Sequence, residues 1–185
     1  MPYLTSAFMP AGWRLLWFGL LLAASLGCTF GFACAVPFAA FGAISAMTLS
    51  RRDALLITLA LWLVNQIIGF TFLNYPWDAM TFFWGATLGG SAVLSTSAAL
   101  LLVAQRNLII SAVASFTAAF VAYEGSLYLI SIPMGATEDF TASIVLRILE
   151  INATSFIVLV AAALLAAVHS HTGSHDSAAT PVPTR

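Results

Sequence analysis

The sequence predicts an all-helical, polytopic membrane protein: a bundle of six transmembrane helices with both termini in the cytoplasm. Three observations predict it. The chain is 61% hydrophobic and only 7% charged, where soluble domains carry about 25% charged residues. Its apolar stretches suffice for six spans and are parted by short polar turns. Four of its six arginines, in a chain without lysine, fall at alternate turns: Arg14 opens the first stretch, Arg51 and Arg52 part the second from the third, and Arg106 parts the fourth from the fifth. The intervening turns carry Asp78 in one case and Glu138 with Asp139 in the other, without a base. Basic loops stay on the cytoplasmic side, so the alternation sets the topology and makes a bacterial cytoplasmic (inner) membrane the expected location. A net charge of −1 and the lack of lysine argue against nucleic acid as a partner and against a polybasic lipid-binding tail.

The stretch from Trp13 to Leu49 is too long for one span. At about 1.5 Å per residue it would reach roughly 55 Å, against a hydrocarbon core of about 30 Å. Gly27, Gly31 and Pro37 are the available breakers, which gives span 1 at Trp13–Thr29 and span 2 at Phe32–Leu49. Arg14 ahead of an apolar run to Cys28 raises a signal peptide. Ser25 is a poor residue three positions before a cleavage cysteine, and apolar character continues to Leu49, so Cys28 is expected in the mature fold. Ser50 and Asp53 read as a capping box opening span 3, Ala54–Leu73. Asn74 to Asp78 forms an outer turn with interfacial aromatics. Span 4 is Ala79–Ala104, Gln105-Arg106-Asn107 is an inner turn, and span 5 is Leu108–Ser131. Pro133, Met134 and Gly135 with Glu138 and Asp139 make the outer loop before span 6, Phe140–Val168. Residues 1–168 thus form one transmembrane domain. The Ser/Thr/Pro-rich remainder, 169–185, is expected to be a disordered cytoplasmic tail in which His169, His171 and His175 are solvated rather than metal-binding.

Polar groups within the spans carry the chemistry. Asn65 and Gln66 lie on span 3, Glu124 on span 5, and Arg147, Glu150 and Asn152 on span 6. Counted inward from the outer ends, Gln66, Glu124 and Arg147 each fall about 10 Å deep, with Asn65 and Glu150 slightly deeper. An ionisable group at the centre of a span costs about 2.5–3.5 kcal/mol on insertion scales, so such groups are expected to be paired or to face water. Arg147 and Glu150, three apart, can touch, and Glu124 can reach Arg147 from span 5. These groups either lock spans 5 and 6 together or line an outward-facing cavity for a polar solute, and the two are compatible. The surplus carboxylate suits an amine, a cationic ring or a proton. Aromatics around this level, with Gly85, Gly89 and Gly90 permitting close approach, supply stacking walls; Trp84, Tyr123 and Glu124 are the preferred pocket residues. Cys28 and Cys34 flank the first outer turn as a disulfide, as buried thiols or as soft metal ligands. No nucleotide loop, zinc-binding helix pair or nucleophile motif is present, so neither catalysis nor a cofactor is expected.

Small residues recur every four positions: Gly19, Ala23 and Gly27 in span 1, and Ala35, Ala39 and Ala43 in span 2. Such stripes pack a bundle internally or dock another membrane subunit. The segment Pro37-Phe-Ala-Ala-Phe-Gly-Ala-Ile-Ser-Ala, the turn Ser50-Arg-Arg-Asp-Ala and the helix Ala60-Leu-Trp-Leu-Val-Asn-Gln-Ile-Ile-Gly-Phe follow in order. Together they resemble spans 2 and 3 of the substrate-binding (S) components of energy-coupling factor (ECF) vitamin transporters. Glycine stands where that pattern has alanine at the first docking position, and Asn65 stands where an acidic residue is often seen. The resemblance implies capture of a vitamin-like micronutrient from outside and its delivery inward. It also implies docking through Gly19 and Ala23 on a transmembrane coupling subunit with partner ATPases, or solitary action.

The expected substrate-binding set is therefore Asn65, Gln66, Trp84, Tyr123, Glu124, Arg147 and Glu150, with a small-molecule solute and the lipid bilayer as partners. Two rivals come from other classes: a non-transporting subunit or assembly factor with a filled outer half, and a proton- or cation-coupled carrier using Glu124 and Glu150.

Overall fold

The computed structural model describes residues 11–32, 36–103 and 107–176, and every regular element among them is helical. Six α-helices follow in order: α1 (Ala11–Phe32), α2 (Phe38–Thr48), α3 (Arg51–Thr71), α4 (Ala79–Leu102), α5 (Leu108–Met134) and α6 (Ala142–Asp176), with a short 3-10 turn at Thr137–Phe140 before α6. Four apolar segments are long enough to cross a membrane: Arg51–Thr71, Ala79–Leu102, Leu108–Met134 and Ala142–Ala167. Over the described residues the chain is an all-helical membrane protein.

The second span is the main correction. In place of a helix over 32–49, α2 has 11 residues, about 16 Å of rise, and is too short to cross a bilayer. Pro37 at its N-cap has no amide hydrogen to continue a preceding helix, and Phe41 N–H makes the first helical bond, to the Pro37 carbonyl at 3.1 Å. Leu49, at φ −119° and ψ 164°, ends it in extended backbone. All eleven residues are buried, because α3, α4, α5 and α6 all pack against this one short helix. Its small residues make that possible: a Cβ on Gly42 would lie 2.8 Å from Thr96 Oγ1 and 3.3 Å from Thr96 Cα.

Hydroxyls fasten the helices around it. Thr58 and Thr96 share a hydrogen bond of 2.8 Å, Ser95 Oγ donates to the Ala119 carbonyl at 2.9 Å, and Ser126 Oγ donates to Ser91 Oγ at 2.8 Å. Such bonds contribute about 0.6 kcal/mol each inside a membrane bundle, so the set holds register more than it supplies stability. At one end of the bundle, Trp17 of α1 donates its indole N–H to Thr48 at 3.0 Å. There too Arg14 of α1 ion-pairs with Asp53 of α3.

The caps explain several boundaries. Ser50 accepts from Asp53 N–H at 3.2 Å, but the Asp53 carboxylate turns to the Ser50 hydroxyl and to Arg14 instead of completing a reciprocal box. Asn107 caps α5 by accepting from Ile109 and Ile110 N–H. Helix α5 runs on past the expected Ser131 and takes Pro133 into its last turn; Gly135, at φ 68°, then terminates it. Helix α6 continues to Asp176, well beyond the boundary drawn at Val168. That boundary followed polarity, whereas the next proline is Pro181. Arg106 and Cys34 lie outside the described residues, as do 177–185.

Asp78 caps α4, accepting from Thr81 N–H at 2.7 Å. Hydrogen bonds from Thr81, backbone first, hold its carboxyl below the ordinary 3.8. A depressed carboxylate supports the fold above its unfolded pKa and loses that support as pH falls through the folded value. Hydrogen-exchange protection of the Thr81 amide is therefore expected to be constant at neutral pH and to decline as pH drops below about 3.8. In Asp78→Asn the decline should be absent.

Candidate functional site

Helix α5 buries a row at four-residue spacing, Ser115, Ala119, Tyr123 and Leu127. A second row, Phe116, Phe120, Glu124 and Tyr128, runs beside it on the α6 side. Its first ring stacks on Phe156 of α6, centroids 4.9 Å apart, and its last meets Phe140 edge-on at 5.6 Å. Glu124 is thereby placed between α5 and α6, where the two helices touch only slightly. It is 7% exposed, and its Oε2 is buried without a hydrogen-bond partner. Tyr123, 5% exposed, sets its ring 6.0 Å from Phe38, the first residue of α2.

Asn152 of α6 completes this junction. It is fully buried, accepts from Ala40 N–H of α2 at 3.1 Å and donates to the Ile148 carbonyl at 3.0 Å. Ala40 is the third residue of α2, one of the amides a helix start leaves without an internal partner. The cap that no residue of α2 supplies thus arrives from a helix more than a hundred positions away.

The amides of α3 form a separate cluster. Asn65 Nδ2 donates to Thr29 Oγ1 of α1 at 3.3 Å, Thr29 Oγ1 donates to the Ser25 carbonyl at 2.9 Å, and Gln66 Nε2 donates to Asn65 Oδ1 at 3.4 Å. Gln66 and Trp62 lie against α4 where glycine leaves room. A Cβ on Gly85 would meet Gln66 Oε1 at 2.5 Å, and one on Gly89 would meet the Trp62 ring at 2.6 Å. Trp62 also donates its indole N–H to the Gly85 carbonyl at 2.8 Å. Outside this contact, α3 and α4 frame a groove of about 570 Å³ walled by Trp62, Gln66, Phe70, Trp77 and Phe82. Phe70 stacks on Phe82 and packs against Trp77, centroids 4.9 Å in both pairs.

The expected layer therefore divides. Asn65, Tyr123 and Glu124 are buried and Gln66 is half-buried, but no hydrogen bond joins the α3 amides to Glu124. Trp84 is half-buried, edge-on to Phe83 at 5.7 Å, and is not part of the groove wall. Arg147 and Glu150 are exposed on α6, and among the described residues neither forms an ion pair with the other or with Glu124. The expected lock between α5 and α6 is thus absent. Two positions in α6 from the buried Asn152, Glu150 sits about 160° around the helix, and Arg147, five away, about 140°. The expectation rested on depth along each helix; rotation around the helix was not available to it.

On α1 the buried row is Trp17, Leu21, Ser25 and Thr29, while Gly19, Ala23 and Gly27 are exposed on the other side. A Cβ on Gly19 or Gly27 would meet nothing within 4 Å. Cys28 is a half-buried free thiol. Sequence reasoning did not single out two functional positions: Asn152 as a cap, and Trp62 as the floor of the groove. The second had a signal, since Trp62 and Gln66 are four apart, as are Gly85 and Gly89 on the facing helix. Family models, curated proteins and solved structures were all compared with the chain, and none matches it.

Proposed function

We propose that this chain is a transport protein of the bacterial cytoplasmic membrane, its long helices spanning the bilayer around the short, buried α2. It would capture a small vitamin-like solute from the outer side and mediate its uptake in the manner of the ECF S components it resembles. The observation that carries the proposal is Glu124: a carboxyl more than nine-tenths buried within a candidate span, with one oxygen unpartnered. An uncompensated ionised group costs several kcal/mol in such a setting, so a retained one points to a ligand or a proton. With Arg147 elsewhere, a solute bearing a protonated nitrogen is the natural counter-charge, held by Glu124 beside the rings of Tyr123 and Phe38. Asn65 and Gln66 provide amide groups on α3. Gly19 and Ala23, outward-facing and uncrowded, suit docking of a coupling subunit that brings ATPases. No catalytic step or cofactor is part of the proposal.

The test begins with mass spectrometry of small molecules that co-purify with the protein, followed by calorimetric titration of the compound found. Glu124→Gln is expected to weaken binding about tenfold or more, the worth of a charge-assisted hydrogen bond of about 1.5–3 kcal/mol. Unchanged affinity would remove Glu124 from the site. A proton- or cation-coupled carrier is the second reading, favoured by the same unpartnered oxygen. It requires counterflow in vesicles that varies with pH and loses that variation in Glu124→Gln.

A further inference from the structure

The charges that left the expected site have their own consequence. Arg147 and Glu150 lie on the exposed face of α6 within the apolar segment Ala142–Ala167. That segment of 26 residues rises about 39 Å, some 9 Å more than the hydrocarbon core. Glu150 is eight residues in, about 12 Å from the N-terminal end. Even if the whole excess overhung at that end, Glu150 would still be within hydrocarbon, and tilting the helix only deepens it. Arginine can extend its long side chain toward the interface; the shorter glutamate reaches less far. Neither residue has an ion-pair partner or a side-chain hydrogen bond among the described residues. Ionisable groups within hydrocarbon are costly, so a lipid-facing placement of both is unfavourable.

The same face carries a pattern. Ser143, Arg147, Glu150 and Thr154 are all exposed at spacings of four, three and four, and Ile157 and Ala161 continue the row, also exposed. This is the repeat with which one helix meets another along a left-handed seam, polar in one half and apolar in the other. Helix α6 is also the least enclosed of the four long spans, with 22% of its apolar window buried.

We propose that this face of α6 pairs with α6 of a second copy of the chain, Arg147 of each copy bonding Glu150 of the other. Copies inserted with the same topology are related by a two-fold axis along the membrane normal, so their α6 helices run parallel with like residues at like depth. A two-fold contact is self-complementary: if one residue meets another across it, the reverse contact also forms. One base and one acid a single turn apart, about 4.5 Å along the axis, satisfy that condition, and the arginine side chain spans the offset. Two such pairs neutralise all four charges, and the Ser143 and Thr154 hydroxyls flank them as interhelical donors. A different membrane partner would have to bring its own matching acid and base, whereas a second copy already has them.

Charge exchange tests this in the full-length protein, reconstituted at low density in phosphatidylcholine vesicles, with donor and acceptor fluorophores on separate copies. Wild type is expected to show energy transfer above the random-proximity background. Arg147→Glu and Glu150→Arg should each weaken self-association at least tenfold, because like charges then face one another. An equimolar mixture of the two variants should restore transfer, an all-acidic seam meeting an all-basic one, and the double variant R147E/E150R should restore it alone. Misfolded chains would not be rescued by mixing, so rescue separates pairing from damage. Background-level transfer in wild type would overturn the proposal and leave another membrane protein as the occupant. Single variants that associate like wild type, or a mixture that fails to recover, would overturn it as well.

Discussion

Asn152→Ala is expected to lower the unfolding free energy by about 2–4 kcal/mol, read as a fall in the thermal midpoint of the purified protein in detergent. Two terms contribute. Loss of Oδ1 leaves Ala40 N–H of α2 without its acceptor, and a buried donor left unsatisfied costs about 1–3 kcal/mol. Removing most of a side chain that is 0% exposed adds a cavity term, since close-packed surroundings relax only in part. The effect is concentrated because α2 is short and touches four helices: disturbing its start disturbs the centre of the bundle. Asn152→Asp, which keeps an acceptor, should lose less than the alanine variant at acidic pH, where its carboxyl is neutral. Equal losses at that pH would show that volume, not the cap, sets the cost.

Composition and charge spacing made the fold class legible. They placed α1, α3, α4 and α5 within a few residues, and Ser50 was readable as a cap because it precedes a hydrophobic run with an acid three positions on. The length of α2 was not legible. Hydropathy is nearly uniform from Phe32 to Leu49, and an apolar side chain looks the same whether protein or lipid covers it. Only Pro37 marked the true start, and it was read as one breaker among three. Glu124 emerged correctly as a polar group inside a span; that it lacks a partner required coordinates. Arg147 and Glu150 were assigned to the same site by depth, but helices of equal depth can turn any face to one another. The buried row of α6, Asn152, Phe156, Leu159 and Ala163, fixes the rotation that the sequence left open and sends both charges outward.

Depth and rotation together give the molecule its division of labour. Among the described residues, the face of α5 turned toward α6 retains a carboxyl with no counter-charge, while the outward face of α6 retains an acid and a base with no partner. Both would be purged from a bundle selected for stability alone, because each group is expensive in hydrocarbon. The proposed solute for the first and the proposed second copy for the second would resolve the two costs separately. The corresponding tests do not overlap, since Glu124 variants report on ligand and charge exchange on α6 reports on association.

Gly42→Leu should have the largest effect of any single substitution considered, abolishing monodisperse protein where Gly90→Ala is neutral. Gly42 is in the middle of α2, and the first added carbon alone would lie 2.8 Å from Thr96 Oγ1, 3.3 Å from Ser95 Oγ and 3.3 Å from Thr96 Cα. The hydroxyl has little freedom to move away, being held to Ala92 O at 3.0 Å and to Thr58 at 2.8 Å. Ser95 is likewise tied to the Ala119 carbonyl of α5, so a displacement at this point passes from α2 through α4 to both α3 and α5. Extra methylenes forced into a packed core cost about 1–3 kcal/mol. A leucine adds several carbons where even the first has no room, which places the expected loss at or above the top of that range. Gly90 is one of the exposed positions of α4, and a Cβ there meets nothing within 4 Å, so alanine should be tolerated and gain slightly in helix propensity. Size-exclusion profiles and thermal midpoints of the two variants make the comparison. A well-behaved Gly42→Leu protein with a wild-type midpoint would mean that α2 is not wedged between its neighbours, and the central role given to this short helix would fall with it.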